Sequence, residues 1–469
     1  MFNKKMLKRM LAMILCILMM LSLAACGGDN SDEDEESGKL NSTTNDEVVD
    51  MGGYEFTIAS PFLLEDPVMS EITGAESIFE EVRHKVEKDY NCTIKIIAHD
   101  NYVENVHTKV LAGDKIADVI DVEGRNLIQL ARSGCIVPLE EVEGLNLSDT
   151  RWIPGYTQIT EFNGQHYGVN FMRPAEARIC LIYNRDLLKE SGITEDPQEL
   201  VGSKKWTFDK FREMCKTVTK DTNGDGTNDR FGCYIAIPET FGTSMISANG
   251  GRLVTSVNGV AKETYNDPKA LNALNFIYDL VNKDKTVKVG PSVETVDSQK
   301  EATANFVAGE SAFYFGETWV INQLLKPTAG DMDYGVVTIP MGPDATEYAC
   351  PFENARNFCI TSTNKDVDKT VIILNALARY IEQYDKDSNW WHYDIEMDYF
   401  QEGDTASVDA FIGLIDTATY DLGVGVTELW KDFQSRVIWD ACYQNKGTPA
   451  SAIQAINGKY QSAVDAVYN

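Results

Sequence analysis

Residues 92–132 read CTIKIIAHDNYVENVHTKVLAGDKIADVIDVEGRNLIQLAR, and their hydrophobic pattern alternates between two periods. The segments 92–97 and 117–122 are rich in the β-branched residues that favour strands. In 102–111 and 127–132 the apolar residues recur instead at the spacing of one helix face. Strands that alternate with helices over short connections are typical of a doubly wound parallel sheet, so we predict an α/β fold.

The same alternation continues on both sides of this stretch. A strand at 54–59 and a helix at 78–90 precede it, and after Gly168 the pattern restarts with a strand at 179–183. Further strands are predicted at 312–315 and from Phe358, and further helices at 207–218, 268–281, 368–384, 426–443 and 449–467. The restart predicts two lobes, each a doubly wound sheet flanked by helices. We assign 51–170 and 353–405 to the N-terminal lobe, and 171–352 and 406–469 to the C-terminal lobe.

The first residues have the features of an export signal. Residues 1–26 read MFNKKMLKRMLAMILCILMMLSLAAC, with four cations before an apolar run and small residues before Cys26. A transmembrane anchor is the alternative, but the run is shorter than the roughly 20 residues that span a bilayer. We therefore predict a lipoprotein signal peptide at 1–25 and a lipid on the Cys26 sulfur. This modification would hold the protein on the extracellular face of a bacterial cytoplasmic membrane.

Composition limits the remaining chain to a few classes. Residues 26–50 are mostly glycine, serine, asparagine and acid, which predicts a disordered acidic tether. The rest is long enough for more than one domain, and a hydrophobic content of 43% is that of a globular protein. The net charge of −30 disfavours nucleic acid as a partner and any membrane contact beyond the lipid.

The cysteines and histidines do not form a metal motif. No Cys-x-x-Cys pair occurs, and none of the five histidines stands at zinc-binding spacing. An exported chain normally pairs its thiols, yet the scattered positions of the eight cysteines after Cys26 suggest small buried hydrophobes. Disulfide pairing stays open on this evidence.

Short motifs along residues 52–380 follow one family order. They are LAGD at 111–114, ADVI at 117–120, GCIVPL at 134–139, NGQHYGV at 163–169, LIYNRDLL at 181–188, WTFDKF at 206–211, ANGG at 248–251, AFYFGETW at 312–319, YGVVTIP at 334–340 and CITSTNK at 359–365. Together they resemble the family 1 extracellular solute-binding proteins of bacteria, whose familiar members bind maltodextrins and other sugars.

This resemblance implies a fold and a mode of action. The family has the periplasmic-binding-protein type II fold, in which crossing segments join two α/β lobes around a ligand cleft and allow closure about a hinge. Its members serve ABC importers, so the resemblance implies a monomeric receptor that delivers a mono- or oligosaccharide to a permease. No cofactor is required for that function.

Aromatic residues are the first candidates for a sugar site, because sugars present apolar faces that stack on rings. Trp319 follows a strand, and its segment resembles the family's Gly-x-Trp motif, which implies a stacking role; packing against the following helix is the alternative. Phe241 resembles a cleft aromatic in position, with core packing as an equal alternative. Trp391, next to Trp390, and Trp430 are further candidates, for which covering a core edge is equally consistent.

Polar candidates lie in loops after strands and in the two crossings. Loops at the carboxyl ends of strands place ligands in open α/β sheets, which nominates Ser60, Asp121, Glu123 and Glu317. The first crossing adds Arg173, Glu176 and Arg178. The resemblance implies an acidic ligand contact there, but the spacing to the next strand is one residue longer than in the family, which leaves Glu176 and Arg178 both open. The return crossing adds Asn354 and Arg356. For each polar candidate a solvated or salt-bridge role is equally consistent.

One loop has the spacing of a calcium site. Oxygen side chains occupy positions 1, 3, 5, 7 and 9 of the loop, which are Asp221, Asn223, Asp225, Thr227 and Asp229. The twelfth position is a glycine, where an EF-hand has a bidentate glutamate. The same residues also suit a turn rich in Asx and glycine. A structural Ca²⁺ is therefore one of two open predictions.

Catalysis is not indicated by any motif. The sequence contains no Gly-x-Ser-x-Gly elbow, no His-Glu-x-x-His and no phosphate-binding loop. Carboxylates are so numerous that a glycosidase pair could be drawn anywhere. We predict a lipid-anchored substrate-binding protein that is not an enzyme. A surface glycosidase or a binding protein for a non-sugar solute is the alternative, and an adhesin would need a sandwich-type strand pattern that is not seen.

Overall fold

The structure is a computed structural model. It describes residues 47–60, 74–97, 102–153, 156–157, 159–172, 179–257, 260–293, 295–352, 356–388 and 390–468. The predicted signal peptide, Cys26 and most of the tether lie outside these ranges. In the described ranges no helix combines the length and the hydropathy that a membrane span requires.

The six strands predicted from the sequence are present, and the described residues form nine further strands. Together they are β1 (Tyr54–Ala59), β2 (Cys92–Ile97), β3 (Val119–Glu123), β4 (Glu161–Phe162), β5 (Gln165–His166), β6 (Ile179–Asn184), β7 (Phe231–Ile235), β8 (Val254–Val257), β9 (Val260–Glu263), β10 (Val287–Val289), β11 (Ser311–Glu317), β12 (Tyr334–Val337), β13 (Cys350–Pro351), β14 (Arg356–Ile360) and β15 (Ala418–Thr419).

Helices connect most of these strands. They are α1 (Gly74–Tyr90), α2 (Tyr102–Leu111), α3 (Gly124–Arg132), α4 (Arg185–Glu190), α5 (Pro197–Gly202), α6 (Phe208–Val218), α7 (Pro238–Ala248), α8 (Pro268–Tyr278), α9 (Val296–Val307), α10 (Lys326–Thr328), α11 (Val367–Ser388), α12 (Trp390–Tyr399), α13 (Thr405–Gly413), α14 (Thr427–Asp432), α15 (Pro449–Ile456) and α16 (Gln461–Tyr468). Wider helical turns extend α8 over Asp279–Lys283 and α14 over Phe433–Tyr443.

The first lobe is built on a four-stranded sheet in the order β14-β3-β1-β2. β1 runs parallel to both β2 and β3, as predicted, whereas β14 runs antiparallel to β3 with Arg356 opposite Glu123. Helix α1 buries Phe79, Val82 and Val86, whose spacing of three and four residues forms one apolar face. That face packs in one cluster with β1 and with α11, which closes this side of the sheet.

The second lobe is built on a five-stranded sheet in the order β10-β7-β11-β6-β12. β11 is the central strand and is buried along its whole length; it runs parallel to β7 and antiparallel to β6. Phe313 of this strand lies 5.3 Å from the Phe211 ring and 5.7 Å from the Trp206 ring, measured between centroids. These aromatic contacts fix α6 against the sheet.

One predicted helix needs correction, and the lobe boundaries stay a prediction. Ile395, Tyr399 and Phe400 pack in a cluster with Tyr334 of the second sheet, where the Phe400 and Tyr334 rings lie 6.1 Å apart. The same cluster includes Ile153, Tyr156 and Ile159 of the predicted N-terminal lobe, so it joins residues of both lobes. The helix predicted at 449–467 is two helices, because Gly458 takes a φ of +72°, which helical backbone does not allow.

The eight cysteines from Cys92 to Cys442 are all buried thiols. Burial raises the pKa of Cys92 to about 11 and that of Cys215 well above its usual value, so these thiols stay protonated. The interpretation of these residues as small buried hydrophobes is confirmed, and within the described residues no disulfide forms.

We expect none of the eight thiols to react with a water-soluble disulfide reagent in the native protein, because none is accessible. A variant carrying Cys16→Ser and Cys26→Ser isolates these eight in a colorimetric titration. All eight should react once concentrated guanidinium chloride unfolds the chain. Rapid reaction of any native thiol would contradict the burial.

Candidate ligand-binding cleft

Four polar candidates of the first lobe meet at one edge of its sheet. Ser60 and Glu123 stand at the carboxyl ends of the parallel strands β1 and β3, and Arg356 begins the antiparallel β14. Asp121 lies two residues before the end of β3. The sheet topology therefore gathers residues that are distant in sequence, at the edge where open α/β sheets bind ligands.

Ser60, Asp121 and Arg356 form a hydrogen-bonded cluster. The Asp121 side chain is 1% exposed and accepts hydrogen bonds from Ser60 Oγ at 2.8 Å and from Arg356 Nε at 3.0 Å. Arg356 Nη2 also donates to Asp121 and lies 3.4 Å from Ser60 Oγ. A buried carboxylate needs such partners, so Ser60 and Asp121 hold Arg356 in place. The Arg356 side chain is 31% exposed and is the member of this cluster that a ligand can reach.

Glu123 is buried and directly precedes α3. A carboxylate at a helix N-terminus is stabilised by the helix dipole, which offsets part of the cost of burial. The helix N-terminus therefore accounts for a buried acidic residue at this position without any contact to a ligand.

The second lobe contributes Glu317 and Trp319. Glu317 ends β11 opposite Ile179 of β6, and its side chain is buried. Trp319 Nε1 donates a hydrogen bond to Glu317 Oε2. The indole is half-buried and packs on the cluster that contains Val320 and Ile321, so part of its surface stays accessible.

The other aromatic candidates have different surroundings. Phe241 is fully buried in α7 and meets the Phe315 ring edge-on at 4.8 Å, which is the core-packing alternative. Trp430 is half-buried in α14 against the same core. The side chains of Trp390 and Trp391 lie outside the described part of the chain. So do the crossing residues Arg173, Glu176, Arg178 and Asn354.

Residues 69–378 match the family model of the bacterial extracellular solute-binding proteins. The chain belongs to this family. A curated relative of this solute-binding protein is the diacetylchitobiose binding protein DasA of Streptomyces coelicolor, 22% identical over 371 residues, or 77% of this chain and 76% of the relative.

Solved structures agree in fold. The GacH receptor of Streptomyces glaucescens, solved unliganded and with acarbose, matches with a TM-score of 0.59 and 16% identity over 88% of this chain and 99% of that one. UgpB of Mycobacterium tuberculosis, in complex with glycerophosphocholine, matches with a TM-score of 0.60 and 16% identity over 88% and 99%. Both likenesses confirm the periplasmic-binding-protein type II fold of this solute-binding protein.

The lobes of this solute-binding protein also touch through contacts that its sequence motifs do not indicate. Gln129 Nε2 in α3 donates to Thr427 Oγ1 at 3.2 Å, and the rings of Phe162 and Tyr468 lie 6.2 Å apart. Tyr468 also donates through its hydroxyl to Leu422 O at 2.6 Å. The contacts of Gln129 with Thr427 and of Phe162 with Tyr468 therefore link the two lobes, and the hydrogen bond to Leu422 holds Tyr468 in place.

A buried carboxylate fixes the segment that makes these contacts. Asp421 accepts hydrogen bonds from the backbone N–H groups of Leu253 at 2.6 Å, Val254 at 3.1 Å and Gly423 at 2.8 Å. Burial raises the pKa of Asp421 above its usual value. No motif identifies this residue, because two of its partners, Leu253 and Val254, are more than 160 positions away along the chain.

A cavity of about 860 Å³ opens elsewhere on the second lobe. It is lined by Arg185, whose guanidinium donates to Asp196 at 3.2 Å, Asp333 at 2.8 Å and Asp404 at 3.0 Å. Arg185 follows β6, at the sheet edge opposite to Ile179 and Glu317. The Arg185 end of the cavity therefore lies away from Glu317, and Arg185 pairs with three of the acidic residues that line it.

The loop at 221–229 is organised by its own backbone. Asp221 accepts from the N–H groups of Gly224 at 2.6 Å and Gly226 at 2.7 Å, and Asp225 accepts from that of Thr227 at 2.8 Å. A hydrogen bond from the Thr222 hydroxyl lowers the pKa of Asp229. Within the described residues no group of three or more His, Cys, Asp or Glu is placed to hold a metal ion. The turn explains this geometry, and the calcium site stays a prediction.

Calcium binding by this loop should raise the melting temperature of chelator-treated protein. At ten times the dissociation constant, linkage gives about 1.4 kcal/mol of stabilisation. Asp225→Asn should abolish the rise, whereas Asp297→Asn, which changes an exposed acid of α9, should leave it intact. An unchanged melting temperature in millimolar calcium would reject the site.

Proposed function

We propose that this protein captures a mono- or oligosaccharide between its lobes and delivers it to the permease of an ABC importer. The observation that carries the proposal is the half-exposed indole of Trp319, held by a buried carboxylate at the carboxyl end of the central strand. A fixed aromatic surface at this edge of an α/β sheet suits the apolar face of a sugar ring.

The opposite lobe offers a complementary group. Arg356 presents a guanidinium whose direction is set by Asp121 and Ser60, and such donors suit the hydroxyl oxygens of a sugar. Similar proteins include a diacetylchitobiose binding protein and a receptor solved in complex with acarbose, which supports a carbohydrate. The complex of UgpB with glycerophosphocholine keeps a non-sugar solute as the alternative.

Capture would act by shifting the balance between open and closed lobes. A ligand that touches Trp319 on one lobe and Arg356 on the other binds the closed form better, and it therefore raises the closed population. The contact between Gln129 and Thr427 links the two lobes beside these groups. The closed form would then dock on the permease as a monomer.

We also propose that a lipid on Cys26 anchors the protein outside the cell. The order of cations, apolar run, small residues and cysteine in 1–26 supports this modification. The acidic tether at 26–50 would let a membrane-bound receptor orient on its transporter.

Trp319→Ala should weaken glycan binding by about 30-fold, since losing a central aromatic contact costs about 2 kcal/mol. Calorimetry over a panel of mono- and oligosaccharides would first find the ligand and then measure the variant. Trp439→Ala is the matched control, because Trp439 is also half-buried but packs on Tyr443. Unchanged affinity in Trp319→Ala would remove this residue from the site.

The same screen separates the alternatives. Binding without product formation agrees with a receptor, whereas cleavage of a glycan by the purified protein would overturn the proposal in favour of a glycosidase. A glycan panel with no binding, together with binding of another solute, would move the ligand to the non-sugar class.

Cys26→Ser should abolish lipid labelling. Cells grown with an alkyne analogue of palmitate should label the normal protein, and Cys16→Ser should be labelled equally because Cys16 lies inside the signal peptide. Label retained in the Cys26→Ser protein would contradict the proposed anchor.

A further inference from the structure

We propose that Glu317 is a positioning residue: its carboxylate fixes the Trp319 indole for stacking and does not itself bind ligand. The sequence nominates Glu317 only as a ligand contact. The stacking role rests on the proposed function, because it requires a sugar ligand. The hydrogen bond that fixes the indole is a property of the protein without ligand.

The backbone of Glu317 is rigidly placed. It ends β11, which is flanked on both sides by paired strands, and it stands opposite Ile179 of β6. All seven residues of the strand are buried, and the Glu317 residue is 8% exposed. Burying a carboxylate is unfavourable unless hydrogen-bond donors satisfy its oxygens. Because Glu317 is almost fully buried, little of its surface is accessible to a solute in the cleft.

Trp319 supplies one of these donors. The indole Nε1–H can only donate, and it donates to Glu317 Oε2 from two residues further along the chain. Hydrogen bonds to an ionised acceptor are about twice as strong as neutral ones. The Nε1 edge of the indole is therefore hydrogen-bonded to a carboxylate whose backbone is fixed in the sheet.

The rest of the indole is held by apolar contacts. Trp319 packs against the cluster that includes Val320 and Ile321, and it remains half-buried. A ring held at its N–H edge and along its apolar body has one orientation before ligand arrives. Such preorganisation improves affinity because less side-chain freedom is lost on binding.

A double-mutant cycle tests this role. Glu317→Met has a similar volume but only a weak sulfur acceptor, Glu317→Gln keeps an oxygen acceptor, and Trp319→Phe keeps a ring but has no N–H. We expect Glu317→Met to weaken glycan binding about tenfold, and Glu317→Gln to weaken it by about twofold or less. In the Trp319→Phe background, Glu317→Met should cause no further loss. An equal loss in both backgrounds would overturn the proposal, because it would mean that Glu317 contacts the ligand.

A measurement without ligand separates this proposal from the proposed function. In ¹⁵N-labelled protein the Trp319 indole signal is the one absent from Trp319→Phe. Glu317→Met should shift it and speed its exchange with water, whereas Glu317→Gln should change it less. An unmoved signal in Glu317→Met would overturn the proposal even if a glycan binds. A moved signal with no glycan bound would support the positioning and reject the carbohydrate function.

If Glu317→Met does not fold, Glu317→Ala replaces it in the same cycle and the same spectra. The melting temperature of each variant is measured first, so that a loss of affinity is compared only among folded proteins.

Discussion

The pairing of β14 with β3 is the constraint on which the two-lobed architecture depends. The chain leaves the first sheet after β3 and returns to it only at Arg356, after the second sheet has been completed. Asp121 and Arg356 join the two strands by an ion pair across 235 positions of sequence. Because the last strand of the first sheet follows all strands of the second sheet along the chain, the chain crosses between the lobes more than once. These crossings make the space between the lobes a hinge-bounded cleft.

The two sides of the cleft use different chemistry for the same purpose. In the first lobe a buried carboxylate holds the guanidinium of Arg356, and in the second a buried carboxylate holds the indole of Trp319. Each acid is itself buried, and each holds a larger side chain that remains partly accessible to solvent. Under the proposed function these rigid groups would limit the entropy lost when a solute binds.

Local patterns explain what could be predicted. Strands β1, β2 and β3 and helix α1 follow from hydrophobic periodicity, because that period reports which face of an element is buried. Trp319 is a candidate from sequence alone because it follows an apolar strand within a family motif. The lobe assignment of Ile395 stays a prediction, since the sequence of a helix does not specify which of two cores it covers. Asp421 and the partnership of Asp121 with Arg356 could not be found, because their hydrogen bonds connect positions that are far apart in sequence.

The eight buried thiols link the stability of this protein to its chemical lifetime. Each sulfur can meet an oxidant only when the chain around it opens, so the rate of damage follows the population of open states rather than the strength of the oxidant alone. An oxidised thiol could not return to its site in the core without a steric and polar penalty. Folding free energy therefore acts as the protein's protection against oxidation, and a ligand that favours the closed form would extend that protection.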